Sequence, residues 1–143
     1  MRPRPAATLP PPPRVGDELP PFQLTLTQQR LVMGAAANHD FAPIHVDPDA
    51  ARASGAPGTY ANTTFLETVL EAALRSWAGP TPRIRMIEFS MTGFNCAGDE
   101  IVTGGVVTDV VPGEAGQEAE LDVWIDGPRG RTLKGSARVR FHA

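Results

Sequence analysis

The clearest pattern in the chain is a helical repeat of apolar side chains within residues 56–80. These residues recur at spacings of three and four, which places them on one side of an α-helix. Gly79 and Pro80 follow and are typical of a helix end. The pattern predicts one long helix with a wide apolar face that must be covered; the face comprises Phe65, Leu66, Val69, Leu70, Ala73, Leu74 and Trp77.

After this helix, apolar and polar residues alternate, which is the period of a β-strand. Turns rich in Gly, Pro and Asn separate four such segments, and an earlier alternating segment precedes the helix. Four antiparallel strands after one long helix predict an α+β fold, in which a curved sheet wraps around the helix. The predicted strands are residues 20–27, 83–94, 99–111, 118–127 and 131–143, and the pair Gly104 and Gly105 predicts a bulge.

Two shorter helices are predicted between the first strand and the long helix. Thr27 is suited to cap a helix over residues 28–37. Pro43 and Pro48 then exclude a continuous helix and indicate a loop. Asp47 is placed to cap a short helix that begins at Pro48.

The chain of 143 residues is long enough for one hydrophobic core. Its first 14 residues contain six prolines and few groups that a core could bury. We therefore expect residues 1–14 to form a disordered proline-rich tail and residues 15–143 to form one domain.

Charge and cysteine content exclude several classes of function. The 13 basic and 16 acidic residues form no block of like charge, which argues against binding to nucleic acid or to an anionic membrane. A single cysteine, Cys96, permits neither an internal disulfide nor a Cys-rich zinc site. Without a long apolar run or a signal-like segment, we expect a soluble, cytoplasmic protein whose partner is a small organic molecule.

The stretch "NHDFAPIHVDPDAA", residues 38–51, holds the most promising chemistry. Asp40 and His45 lie five positions apart across a spacer stiffened by Pro43, so both side chains can face one pocket. Such a pair can hold a water between carboxylate and imidazole, one group taking a proton while the other gives one. A histidine that stands alone in a loop is more often structural than catalytic, which is the alternative interpretation of His45. The side chain of His39 is expected to face solvent.

The segment "HDFAPIHVDPDAARASG" resembles the hydratase signature of the MaoC-like enoyl-CoA hydratases and dehydratases. That signature has an aspartate, four residues and a histidine, then a small residue, Asp, Pro and a short helix. The resemblance extends from about Phe22 to the end of the chain. It implies a hot-dog fold and a dimer with the acyl-thioester near the subunit interface. It also implies that Asp40 and His45 are catalytic, and that coenzyme A enters only as part of the substrate, without metal or redox cofactor.

The chain departs from the family pattern at the start of the long helix. A His-Gly pair is usual there, and its backbone N–H groups polarise the thioester carbonyl. Here Tyr60 and Ala61 take that place. The resemblance therefore leaves the donor among Tyr60, Ala61 and Asn62; Asn62 is equally suited to cap the helix.

Other candidate residues have a structural and a functional interpretation. Arg83 and Arg85 could bind a coenzyme A phosphate, although a solvated strand face explains them more readily. Asp47 and Asp49 suggest a helix start rather than a metal site. Cys96 lacks a basic partner nearby in sequence, which disfavours a role as nucleophile.

The first functional hypothesis is a hydro-lyase that adds water across the trans-2,3 double bond of an acyl-thioester, giving an R-type 3-hydroxy product by resemblance. The segments "GTYAN" and "WAGP" resemble single-hot-dog subunits of actinobacterial steroid side-chain enoyl-CoA hydratases. Those subunits pair with a second MaoC-like domain, so we expect a homo-oligomer or such a hetero-oligomer. The alternatives are a noncatalytic hot-dog subunit that binds acyl groups or completes a partner's pocket, and a dehydratase or cyclase acting on a carrier-protein-bound polyketide.

Overall fold

A computed structural model describes residues 11–113 and 115–142. Most of the predicted tail, residues 1–10, lies outside these ranges. The structure describes the last four residues of that tail, 11–14, and Pro13 among them is buried. No helix in the described part of the chain is long and apolar enough to cross a membrane.

The elements follow the predicted order, with one long helix between an early short strand and four later strands. A 3-10 helix, Pro43–His45, lies in the loop between the two short helices. The remaining elements are β1 Gln23–Thr25, α1 Gln28–Ala37, α2 Pro48–Ala53, α3 Thr63–Ala78, β2 Arg83–Met91, β3 Glu100–Gly113, β4 Gly116–Gly127 and β5 Gly130–His142.

The strands form a five-stranded antiparallel sheet in the order β1-β3-β4-β5-β2. One face of this sheet packs against α3, and the two surfaces form one hydrophobic core. The helix contributes fully buried leucines, because its apolar positions recur every three or four residues. This α+β arrangement is the hot-dog fold, as predicted; its largest fully buried side chains include Leu66, Leu70 and Leu74 of α3 with Ile101, Leu121, Ile125 and Leu133 of the sheet.

Side-chain caps fix where the helices begin. The Thr27 hydroxyl accepts the N–H of Arg30 at 3.1 Å, and the Asp47 carboxylate accepts the N–H of Asp49 at 2.9 Å. Both caps were predicted from the sequence. Helix α3 ends at Gly79, whose φ of 84° is available to glycine at little cost.

Two details of the predicted packing differ in the structure. Phe65 and Trp77 pack against the core but are only half-buried. The bulge predicted at the glycine pair is instead at Thr108, where the β3–β4 register shifts between Val107 and Asp109. Gly104 has a packing role, since a Cβ there would overlap the Trp124 indole.

Candidate active site

The loop after α1 brings Asp40 and His45 into direct contact. His39, at a φ of 52°, turns the chain back after the helix, and its own side chain is exposed, as predicted. His45 is the last residue of the 3-10 helix and is 5 % exposed. Its Nε2 lies 3.0 Å from Asp40 Oδ2. At this distance the two side chains are within hydrogen-bonding range.

The orientation of the His45 ring is set from its other side. Its Nδ1 lies 2.7 Å from the carbonyl oxygen of Tyr60. Because a carbonyl only accepts, Nδ1 must donate its hydrogen there, which directs Nε2 towards Asp40. The Tyr60 ring contacts the imidazole edge-on, with centroids 5.5 Å apart, and Gln28 Nε2 donates to the His45 carbonyl at 3.4 Å.

Three donors surround the Asp40 carboxylate. The backbone N–H of Ala42 donates to Oδ1 at 3.2 Å, and Asn62 Nδ2 and His45 Nε2 approach Oδ2 at 3.3 and 3.0 Å. The Ala42 bond is the main reason that the pKa of Asp40 is lowered from its ordinary 3.8; burial opposes it, and Asn62 and His45 reinforce it. The side chain is 33 % exposed. Asp40 is therefore a charged base that a water can reach.

Asn62 connects this carboxylate to the start of α3. Its Oδ1 accepts the backbone N–H of Phe65 at 2.8 Å, which caps the helix, and also the Asn38 amide at 3.3 Å. With the oxygen occupied in this way, Nδ2 is directed towards Asp40. One buried amide therefore caps the helix and also helps to lower the pKa of Asp40.

The first turn of α3 leaves backbone donors available. The Ala61 N–H is occupied, since it donates to the Asn95 carbonyl at 2.9 Å. The N–H groups of Asn62, Thr63 and Thr64 have no acceptor within residues 11–113 and 115–142. Free N–H groups at a helix N-terminus favour a negatively charged oxygen. Of the three candidate donors, the backbone N–H groups of Tyr60 and Asn62 therefore have no acceptor among the described residues, whereas that of Ala61 is occupied.

A cavity of about 360 Å³ lies beside the residues that lead into α3, and Tyr60 connects it to the Asp40–His45 pair. Tyr60 belongs both to the cavity wall and to the hydrogen bond that orients His45, and its ring contacts Phe94 with centroids 5.0 Å apart. The rest of the wall comes from the start of α3 and from the segment that follows β2. The cavity is lined by Tyr60, Ala61, Leu66, Met91, Thr92, Gly93, Phe94 and Asn95.

The segment after β2 is held in place by an ion pair between two residues that are far apart in sequence. The Arg129 guanidinium donates to the Asp99 carboxylate and, at 3.2 Å, to the Phe94 carbonyl. Asp99 also accepts the N–H of Cys96 at 2.8 Å. Burial raises the pKa of the Cys96 thiol, and the residue is 3 % exposed. This environment suits a structural cysteine rather than a nucleophile.

Arg83 and Arg85 are not brought to the Asp40–His45 pair of their own chain. Both are exposed on β2, and Arg85 is the extra residue where the β2–β5 register shifts. Arg83 lies eight strand residues before Met91, which lines the cavity. At the usual rise of a strand, this separation is about 26 Å.

The described residues contain no group of three His, Cys, Asp or Glu side chains arranged to hold a metal ion. Asp47 caps α2, and Asp49 pairs with Arg52 at 3.2 Å.

Several residues at the site were not singled out as functional from the sequence. The sequence marked Asn38 only as the end of α1, and it placed Asn95 in a predicted turn. It gave no indication of a role for Gln28 or Ala42, because each acts through a contact with an atom that only folding brings close.

Comparison with known proteins agrees with this architecture. The model of the MaoC like domain matches residues 14–125, so the chain belongs to the MaoC-like family. No curated protein matches the chain by sequence comparison.

Solved structures share the fold across most of their length. The chain is similar to one in the ChsH1-ChsH2 complex from Mycobacterium tuberculosis, with a TM-score of 0.84 and 25% identity over 90% of this chain and 98% of that one. For the R-hydratase PhaJ1 from Pseudomonas aeruginosa the TM-score is 0.76, with 18% identity over 88% and 80%. For the (R)-hydratase from A. caviae involved in PHA biosynthesis the TM-score is 0.77, with 21% identity over 95% of this chain and 99% of that one. The last two similarities, at such identities, concern the fold alone.

Proposed function

We propose that this protein is a hydro-lyase that adds water reversibly across the trans-2,3 double bond of an enoyl-thioester, with acyl-CoA as the substrate. The observation that carries the proposal is the 3.0 Å contact between Asp40 and His45 beside the free first turn of α3. Membership of the MaoC-like family and the fold shared with two R-hydratases support it.

The pair supplies both proton transfers that hydration needs. Asp40 takes a proton from water as the water oxygen bonds to the β-carbon, and His45 Nε2 gives a proton to the α-carbon. Over the whole cycle, the C=C π bond and one O–H bond of water break while a C–O and a C–H bond form. Asp40 then holds the proton that His45 has lost, and transfer across their 3.0 Å contact restores the pair. By family resemblance the 3-hydroxy product has the R configuration.

The start of α3 stabilises the charge that develops on the thioester oxygen. As the β-carbon is attacked, negative charge moves to this oxygen, and the free N–H groups of Asn62 and Thr63 can donate to it. The helix dipole acts in the same direction. In this proposal the donors lie one or two residues after the position expected from the family's His-Gly pair.

Exposed apolar groups around the site support an assembly of two subunits. Phe41, next to Asp40, is 81% exposed, and Met91, at the end of β2, is 47% exposed. As an edge strand, β2 has one side that no other strand of the described residues pairs with. We propose that a second MaoC-like subunit, either identical or different, covers these groups.

This assembly also gives Arg83 and Arg85 a role in substrate binding. If two β2 strands pair antiparallel, Arg83 of one subunit approaches the Met91 end of the other. The arginines would then bind coenzyme A phosphates at the partner's site rather than at their own. The resemblance to steroid side-chain hydratases extends the proposed substrates to steroid acyl-CoA.

A noncatalytic subunit is the second candidate function. Two features favour it. Tyr60 and Ala61 replace the family's His-Gly pair, and the Ala61 N–H already donates to the Asn95 carbonyl. A dehydratase or cyclase acting on a carrier-protein-bound polyketide uses the same fold and is distinguished by its substrate.

The test compares Asp40→Asn, His45→Gln and the double variant on a short and a steroid enoyl-CoA, with and without a second MaoC-like subunit. Each single change should lower turnover by about two to four powers of ten, with folding stability nearly retained. Because both groups act in one step, the double variant should be hardly worse than the poorer single variant. Asp49→Asn, in the exposed pair with Arg52, is the matched control. Near-native turnover of both single variants with the second subunit, and none without it, would instead support the noncatalytic function.

A further inference from the structure

An ion pair between Arg129 and Asp99 ties the segment after β2 to the turn between β4 and β5. The two terminal nitrogens of Arg129 donate to the two Asp99 carboxylate oxygens at 3.1 and 2.5 Å. One of these nitrogens also donates to the Phe94 carbonyl at 3.2 Å. One guanidinium therefore holds both ends of residues 94–99.

The Asp99 carboxylate transmits this support to the backbone of Cys96. Its Oδ2 accepts the Cys96 N–H at 2.8 Å, and the Asp99 N–H donates to the Cys96 carbonyl at 3.0 Å. Both backbone groups of Cys96 are thus bound to Asp99, which is 8 % exposed. On its other side, Cys96 lies opposite Tyr60 in an isolated antiparallel bridge.

This bridge determines where the Tyr60 carbonyl is directed. The neighbours of Tyr60 make the bonds across the bridge, one on each side; they are Ala61 N–H to the Asn95 carbonyl and Ala97 N–H to the Thr59 carbonyl, both 2.9 Å. In such an antiparallel pair the central residue directs its own N–H and C=O away from the opposite strand. The Tyr60 carbonyl accordingly faces away from Cys96 and accepts from His45 Nδ1 at 2.7 Å.

The ring of Tyr60 depends on the same segment. It contacts the Phe94 ring, with centroids 5.0 Å apart, and the His45 imidazole edge-on at 5.5 Å. Both the backbone and the side chain that contact this imidazole therefore rest on residues 94–99. A displacement of the segment would move the acceptor that fixes the orientation of the His45 ring.

We propose that Arg129 is a positioning residue for the reaction: by holding Phe94 and Asp99, it fixes the Tyr60 carbonyl that orients the His45 imidazole. Arg129 acts only through these groups and not on the substrate. The inference rests on the proposed hydration, in which His45 Nε2 gives a proton to the α-carbon. Loss of Arg129 lets the imidazole turn away from that direction.

Nuclear magnetic resonance of isotope-labelled histidine tests the orientation without any substrate. The Nδ1–H of His45 should give a slowly exchanging signal, because the residue is buried and hydrogen-bonded. The other two histidines, His39 and His142, are exposed, and His45→Gln assigns the signal by removing it. In Arg129→Gln the signal should broaden or disappear.

Steady-state kinetics on an enoyl-CoA test the consequence for turnover. In Arg129→Gln, kcat should fall by about 10- to 100-fold with a smaller change in KM, since misplacing a reacting group by about 1 Å has an effect of this size. Asp99→Asn keeps an acceptor for the Cys96 N–H but weakens the pair. Because both residues act through one contact, the double variant should be hardly worse than the poorer single variant.

Arg131 provides the matched control. It lies two residues after Arg129 and binds the Asp126 carboxylate through two nitrogens at 2.9 and 3.2 Å. Its side chain is 49 % exposed, against 45 % for Arg129, and it makes no hydrogen bond to residues 94–99 in the described part of the chain. Arg131→Gln should lower Tm about as much as Arg129→Gln but leave the His45 signal and kcat unchanged.

The outcomes separate this inference from the proposed function. If Arg129→Gln does not fold, Arg129→Lys serves in its place, because lysine keeps the charge but not the paired donors. Retention of the His45 signal or of wild-type kcat in the Arg129 variant, or equal losses in Arg131→Gln, would overturn the inference alone. If wild type hydrates no enoyl-CoA, with or without a second MaoC-like subunit, the proposed function fails, and the His45 signal still decides whether Arg129 orients the ring.

Discussion

Substitution of Asn62 separates two roles that one side chain performs. The amide oxygen caps α3 through the Phe65 N–H at 2.8 Å, and the amide nitrogen donates to Asp40 at 3.3 Å. Asn62→Ser keeps a capping oxygen but removes the donor to Asp40. Asn62→Ala removes both, and Asn62→Asp keeps the cap but places a second carboxylate beside Asp40.

The contacts give the expected magnitudes. Loss of the cap should make the Ala variant less stable than the Ser variant by about 1 kcal/mol. For a chain of this length that corresponds to a difference in Tm of about 2–4 °C. The bond from Asn62 contributes to the lowered pKa of Asp40, so its loss in the Ser and Ala variants raises this pKa towards 3.8. The Asp variant should raise it further, because two like charges disfavour ionisation.

The assays are urea unfolding and the pH dependence of kcat/KM. Asp40 acts as a carboxylate, so the acid limb should move to higher pH in all three variants and furthest in Asn62→Asp. A carboxyl with a lowered folded-state pKa stabilises the fold above its ordinary pKa, and this contribution is lost as the pH falls through the lowered value. Thr27→Ala, which removes the α1 cap, should cost similar stability without moving the acid limb. Wild-type pH profiles in the Ser and Asp variants would refute this account of Asp40.

Two further predictions concern the frame around the site. Gly135→Ala should lower the free energy of unfolding in urea by about 1–3 kcal/mol, because the new Cβ would overlap the Glu88 carbonyl oxygen. Gly58→Ala is the control: no atom lies within 4 Å of its new Cβ, so the free energy of unfolding should change by less than about 0.5 kcal/mol. Cys96 should resist iodoacetamide at mildly alkaline pH in the folded protein and react in urea, since burial raises its thiol pKa and blocks access; fast labelling of the native protein would contradict this.

The helices were predictable because their signals are local. The boundary of α1 and the caps Thr27 and Asp47 follow from backbone donors that a neighbouring side chain satisfies within three residues. The long helix follows from its apolar period, which leaves one face to be buried. In the same way, strand period and turn composition determined an antiparallel sheet after the helix.

The partial burial of Phe65 and Trp77 was not predictable from periodicity. Both occupy apolar positions of α3, but a helix period does not say how far a neighbouring element extends over each end of the apolar face. Trp77 instead contacts Phe141 edge-on near the end of β5. The bulge differs for a related reason, since Gly104 is required by the volume of a cross-strand indole rather than by a kink.

The sequence by itself determined the α+β fold and the proximity of Asp40 to His45, because five positions around a stiff proline turn place both in one loop. Only the tertiary structure decided what surrounds that pair. The Tyr60 carbonyl and the Asn62 amide reach the site from 15 and 22 residues away. Their contributions depend on how α3 and the end of β2 pack, and packing over such separations leaves no periodic trace in a single sequence.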